Sequence, residues 1–297
     1  MEDWDQYRFF LAVARVGSLS GAARELGVSQ PTVSRRITQL ERRLEATLFT
    51  QTQGGVSLTD VGRDLLDSAE AIAAAATDLK HKVDLHEREP TGTVSLSAPG
   101  ALMDGWLPEK LKEFRDEYPH ILVECLPSDR PADLAHGECD VAVQYGRPAP
   151  TFAIGSRISE VGFGIFASRE YLFKHGIPKS EEDLAGHQYI AASGHLGCHQ
   201  PIAEFNELMK RGNPAFRTNC SQTYVKLARK GNGLVCISEL CAVGAPDLVR
   251  VLPGIFSKRV EFWMLSHPAL RKSVRVRALL DHIRGCAVSH ARAARAC

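Results

Sequence analysis

Residues 27–44 read GVSQPTVSRRITQLERRL, and the side chains at the front of that stretch are the kind that read nucleic acid. Glutamine and arginine make paired hydrogen bonds to the edges of adenine and guanine, and serine and threonine donate to phosphate or base. Gln30, Thr32, Ser34, Arg35 and Arg36 supply all of these within one short span, and Arg42 and Arg43 follow within reach of a backbone. Behind them Val33, Ile37, Leu40 and Leu44 recur at steps of 4, 3 and 4, the spacing of a buried helical stripe. Ser29 is the expected N-cap, and Pro31 falls in the first turn, where its missing N–H costs little. On these residues alone an ordinary amphipathic helix with a solvated basic face reads equally well.

A second chemistry is carried by sulfur. The chain has eight cysteines without close paired spacing, which fits reduced thiols better than a disulfide framework. The stretch HLGCH sets Cys198 between His195 and His199, and Cys220 precedes Ser221. A thiol beside an imidazolium or a helix N-terminus ionises and oxidises selectively, so Cys198 and Cys220 form a candidate redox pair. His195, Cys198 and His199 offer only three metal ligands on an expected loop, so neither a metal nor a cofactor is expected. Cys125, Cys236 and Cys241 lie in apolar segments and read as small core residues. No GxxxxGK[ST], HExxH or GxSxG pattern is present and the acids and histidines are scattered, so no enzyme is expected.

The elements that must position the first set are legible. A helix over Trp4–Val16 carries Phe9, Phe10, Val13 and Ala14 on one face. Gly17 ends it, Ser18 caps a short helix LSGAAREL, and Gly27 stops that in turn. The result is helix, tight turn, helix, which places the start of the last helix in a DNA major groove. After Leu48-Phe49, the run TQTQGGVSLT reads as a short hairpin with Gly54-Gly55 at its tip, a wing.

With FLAVARVGSLSGAARELGVSQPTVSRRITQLERRLEATLF and VSLTDVGRDLL in view, the chain resembles the LysR-type transcriptional regulators over nearly its whole length. That resemblance implies a DNA-binding regulator: a winged helix-turn-helix over 1–58, a dimerisation linker over 59–89 and an effector-binding domain over 90–297. The implied DNA contacts are Ser29, Gln30, Pro31, Thr32, Ser34, Arg35 and Arg36, with Gln51 and Gln53 on the wing. Wings of this family usually carry arginine after the Leu-Phe pair. Here Gln51 and Gln53 leave the wing without base, which predicts weaker electrostatic affinity.

The linker expectation has its own pattern. Val61, Leu65, Ala69, Ile72, Ala76, Leu79 and Val83 step by 4, 4, 3, 4, 3 and 4, which keeps one seam toward a partner helix. The resemblance implies a homodimer, often a homotetramer, reading an interrupted inverted repeat in double-stranded DNA. The alternative is a helix packed on its own domain.

From Pro90 the texture changes to an α/β alternation, which predicts a parallel sheet with crossovers. Strands are expected at TVSLSAP, ILVECLPS and DVAVQYG, with a helix over LMDGWLPEKLKEFRDEYP and a short one at DLAHG. A second unit starts near Val161, and the chain returns through VEFWMLSHP to a final helix KSVRVRALLDHIRGC. The fold class is therefore α/β multidomain, with two lobes (92–161 plus 265–290, and 162–264) similar to periplasmic solute-binding proteins. Ligands of open α/β sheets sit beyond the strand ends, near helix N-termini. Ser97, Pro99, Gly100, Ser128, Tyr145 and Gly146 on one lobe, and Ser193, Cys198, Ser221 and Thr223 on the other, are the candidates that the resemblance brings to an interlobe cleft. Each serine or threonine can equally be a plain helix cap. The effector implied is a small molecule, and Arg147 is the nearest fixed positive charge to these turns.

Length and charge bound the rest. At 297 residues with a net charge of +1, any nucleic-acid footprint has to be local. The acidic start MEDWDQYRFF does not read as an export signal, and no apolar run is long enough to span a bilayer, so a cytoplasmic protein without membrane contact is expected.

Overall fold

In the computed structural model, residues 4–52, 54–84, 90–149 and 153–296 are described, and they fall into two units that divide at Lys80 and His81. The first is built on α1 (Trp4–Val16), α2 (Leu19–Glu25) and α3 (Gln30–Leu44), followed by the hairpin β1 (Phe49–Thr52) and β2 (Gly55–Leu58), and by α4 (Asp60–Asp84). The capping signals act as the sequence implies. The Ser18 hydroxyl accepts from the Gly21 N–H at 3.1 Å, and Ser29 accepts from Thr32 at 3.4 Å. The stripe of α3 joins Phe9, Phe10 and Val13 of α1 and Ala22 and Ala23 of α2 in one core.

The wing is anchored at both ends. Glu41, inside α3, accepts from the Leu48 and Phe49 N–H groups at 2.7 and 3.3 Å. The Val56 N–H donates to the Gly17 carbonyl at 2.8 Å. Gly55, expected at the tip, is the first residue of β2 and pairs with Thr52. Its φ is +146°, and a Cβ there would lie 2.2 Å from the Gly17 oxygen. Only glycine fits where the wing meets that turn.

The Thr59 hydroxyl accepts from Gly62 at 3.0 Å and opens α4. The expected seam divides: Leu65 and Ala69, with Ala73 beside them, pack on the unit's own core, while Val61 and Ile72 are 50% and 44% exposed and Ala76 is exposed too. Leu79 and Val83 fall outside the described side chains, and Gln53 outside the described residues.

The second unit opens with β3 (Gly92–Ala98), α5 (Gly100–Gly105), α6 (Leu107–Glu117), β4 (Ile121–Pro127) and β5 (Val141–Tyr145). It continues through β6 (Ile154–Ser168), α7 (Arg169–His175), β7 (Gln188–Ala192), α8 (Gly194–Cys198), α9 (Gln200–Leu208) and β8 (Asn213–Thr218). It ends with α10 (Ser221–Arg229), β9 (Val235–Ser238), α11 (Glu239–Val243), β10 (Leu248–Val251), β11 (Ser257–Ser266) and α12 (Val274–Ala296).

The sheet is mixed rather than parallel. β3 runs parallel to β4 and β5, but the long strands β6 and β11 pair antiparallel with each other over most of their length, and β7 and β8 form a separate parallel pair. These two cross from one half of the unit to the other, with β5 on β11 at one end and β9 and β10 on β6 at the other.

Three local expectations are corrected. The run 102–119 is two helices rather than one, because Pro108 cannot continue the helix that ends at Gly105. DLAHG forms a turn in which the Asp133 carboxylate accepts from the His136 N–H at 3.2 Å, not a helix. Cys125 is exposed, because β4 is the edge of the sheet; Cys236 and Cys241 are buried as expected.

Candidate DNA interface and ligand cleft

On α3 the candidate DNA contacts do not stand alike. Ser29, Gln30, Pro31 and Arg35 are exposed, and Thr32 and Ser34 are half-buried. The Ser29 and Thr32 hydroxyls are 2.8 Å apart, so the cap is shared between them. Arg36 turns back onto α1: its guanidinium lies 5.8 Å from the Phe9 ring centre and 3.8 Å from the Asp5 carboxylate. Arg35 has no such brace among the described residues and can reach outward. On the wing Gln51 is exposed, while the nearby hydroxyls of Thr50 and Ser57 bond each other at 3.0 Å. The unit thus presents a capped helix end with an outward guanidinium, beside an uncharged hairpin.

In the second unit the helix starts cap one another across the gap between its halves. The Asp129 carboxylate, just past β4, accepts from Ser221 N–H of α10 at 2.6 Å and from Gly100 N–H of α5 at 3.3 Å. In return the Ser221 hydroxyl accepts from the Ala101 N–H at 2.8 Å. Neither α5 nor α10 has a side-chain cap of its own, so their free N–H groups and positive dipole ends are served by this reciprocal pair. Gln222 donates to Asp104 at 2.9 Å, and the Tyr145 hydroxyl meets that of Ser238 at 2.8 Å. The approach is close elsewhere too: a Cβ on Gly244, after α11, would lie 2.3 Å from the Gly105 Cα.

Beside these caps lies a cavity of about 400 Å³, open to solvent, at the ends of β3, β4 and β5. That is the size range of small-molecule sites. Ser97, Pro99, Ser128 and Tyr145 line it, and so do Asp129, Gln144, Arg147 and His199. A void of about 30 Å³ next to it is bounded by Pro99, Tyr145, His199 and Ser221. Of the other sequence candidates, Gly100 and Gly146 adjoin the cavity in the chain, while Ser193, Cys198 and Thr223 line neither space. Thr223 is exposed, and Ser221 caps the facing helix rather than its own.

The sequence reading missed Asp129 and considered His199 only beside the Cys198 thiol or as a metal ligand, not as part of the cleft. Burial holds the His199 imidazole below its ordinary value, the Asp129 charge opposes that, and His195 adds to it. Burial likewise pushes the Tyr145 hydroxyl well above its ordinary value, so it stays protonated and can donate. Arg130 is tied to Glu138 at 2.6 Å, which leaves Arg147 as the unpaired cation on the rim among the described residues. Cys198 closes the single turn of α8, and Cys220 precedes α10; both are free thiols.

Residues 4–63 match the family described as bacterial regulatory helix-turn-helix protein, lysR family, and residues 87–287 match the LysR substrate binding domain. The HTH-type transcriptional regulator CrgA of Neisseria meningitidis serogroup B is 30% identical over 246 residues, covering 79% of each chain. The structure of CrgA, a LysR-type transcriptional regulator from Neisseria meningitidis, superposes with a TM-score of 0.57 at 25% identity, covering 96% of this chain and 99% of that one. The full-length structure of the Vibrio cholerae virulence activator AphB superposes with a TM-score of 0.60, covering 96% and 99%; at 21% identity that likeness speaks to the fold. Among the described residues no helix is long and apolar enough to cross a membrane.

Proposed function

The chain belongs to the LysR family of helix-turn-helix transcriptional regulators, and from that premise we propose how its parts divide the work. Residues 1–58 read DNA, 59–89 pair two copies, and 90–297 bind the effector between lobe I (92–161 plus 265–290) and lobe II (162–264). In each copy α3 enters the major groove. Gln30, Thr32, Ser34 and Arg35 face base edges, Ser29 and Pro31 set the helix start against the phosphates, and Arg36 braces α3 from behind. Gln51 and Gln53 bring the wing to the DNA backbone by hydrogen bonding alone. Two copies, and pairs of pairs, read an interrupted inverted repeat. The protein works in the cytoplasm and has no catalytic role.

The effector is a small molecule held in the cavity beside Asp129, with Ser97, Ser128, Tyr145 and His199 as its polar partners and Arg147 at the mouth. The single observation that carries this reading is the reciprocal cap of Asp129 and Ser221. It joins the two halves and touches the cavity wall, so a ligand competing for Asp129 acts on how the halves close. That differential interaction is what an effector needs in order to shift a conformational balance.

The test is selection of binding sites from random duplex DNA by the reduced, full-length protein. Enrichment of an interrupted inverted repeat is expected; enrichment of no sequence overturns the DNA half. A panel of small carboxylates and aromatics is then screened by thermal shift. An active compound is expected to alter the footprint on the selected site and to lose its effect in Tyr145→Phe or His199→Gln, whereas an unchanged response in both variants places the effector elsewhere.

A further inference from the structure

Away from the cleft, α12 and α6 bring together three side chains that suit a metal. His282 and Cys286 stand at i and i+4 on one face of α12, and Glu113 faces them from α6. Among the described residues, this trio places its ligand atoms within 4.8 Å of one another. We propose that Glu113, His282 and Cys286 bind a Zn²⁺-type divalent ion that ties α12 to α6.

The geometry matches such an ion. Cys286 Sγ lies 3.6 Å from His282 Nε2 and 3.9 Å from Glu113 Oε2. A tetrahedral centre with bonds of about 2.3 Å to sulfur and about 2.1 Å to nitrogen or oxygen separates those atoms by about 3.6 Å. Two neighbours need little rearrangement. Lys110 holds the other carboxylate oxygen, Oε1, at 2.6 Å, so Oε2 can turn to the metal while that pair persists. His282 Nε2 now meets the Lys110 carbonyl at 2.8 Å and must release it, but that carbonyl sits inside α6 and keeps its helical partner. Glu117 is 3.8 Å from His282 Nδ1, and with a small shift its carboxylate would accept a hydrogen bond from the Nδ1–H and orient the imidazole. The trio lines an open cavity, which gives an entry path, and His290 stands further along the same wall. A mixed nitrogen, sulfur and oxygen set selects Zn²⁺ or Co²⁺ over Mg²⁺. Binding converts the Cys286 thiol to a metal-bound thiolate and releases its proton to solvent.

The experiment is a Co²⁺ titration of untagged, reduced, full-length protein. It is expected to develop a thiolate-to-cobalt absorption that saturates at one ion per chain, is displaced by Zn²⁺ and ignores Mg²⁺. Cys286→Ser should abolish the band, His282→Gln should weaken binding by more than about tenfold, and Cys198→Ser should leave it intact. Circular dichroism of each variant separates lost binding from lost fold. No band in the parent protein, a band that survives Cys286→Ser in folded protein, or one lost with Cys198→Ser overturns the site.

Discussion

Asp129 is the residue on which the cleft turns. Its carboxylate caps two helices that approach from opposite halves, so Asp129→Asn replaces one accepting oxygen with an N–H donor aimed at another N–H. The expected loss is about 1–3 kcal/mol of stability, read by urea unfolding, with faster amide exchange at Ser221. His199 adds a pH dependence. Its imidazole is held below the ordinary value by burial, so the unfolded chain protonates more readily than the folded one. Stability is then full above about pH 6.5 and falls as the pH drops through that value. Thermal midpoints between about pH 7 and about pH 5 should show the fall, and His199→Gln should shrink it. On α3, Arg35→Ala should weaken specific DNA binding by about 1–3 kcal/mol if the side chain meets a base. Little change would return Arg35 to a phosphate or solvent role. At this scale the sequence was legible where a rule of position exists. Tyr145 ends a strand and Ser221 starts a helix, and both adjoin the cleft. Asp129 carries no such mark, because its partner lies 92 residues away and neither local pattern nor spacing points to it.

At the scale of elements, periodicity and caps carried most of the reading, and their failures have causes. The helix-turn-helix was legible because each helix start has its own serine and each turn its own glycine. Of the two long strands, β11 was legible as the returning VEFWMLSHP, but β6 was not read whole, because it runs from one half of the unit to the other and so reads as two pieces with different neighbours. Cys125 was misread because an apolar segment can form an edge strand, where Leu122 nearby is 66% exposed. The wing supports two predictions. Gln51→Arg adds a cation where none stands, so the salt dependence of DNA binding should steepen by about one for each further phosphate that the arginine neutralises. Equal slopes for the two proteins would show that the wing touches no phosphate. Gly55→Ala sets a methyl against the Gly17 oxygen and should destabilise the DNA-reading unit by on the order of 1–3 kcal/mol, measured by its unfolding transition.

For the molecule as a whole, the decisive quantity is how weakly one copy binds alone. Net charge is only +1, and β1 of the wing adds no cation, so the sequence-independent attraction of one copy rests on the few arginines of α3. Affinity must come from joining two such helices on one site, where the second helix docks at high effective concentration. The face available for that joining is narrow. Leu65, Ala69 and Ala73 of α4 are spent on the unit's own core, which leaves Val61 and Ile72 as large apolar side chains exposed on the described part of the helix. In the proposed pairing, the 44% exposed Ile72 is the side chain that the partner helix would cover. Ile72→Asp puts a charge on that seam without touching the core behind it. It should shift the protein toward monomer in sedimentation, and it should lower affinity for a full inverted repeat by about a hundredfold while leaving affinity for a half-site unchanged. If the variant stays paired and binds the full site as well as its parent, the pairing surface is not α4, and the domain borders proposed for the linker fall with it.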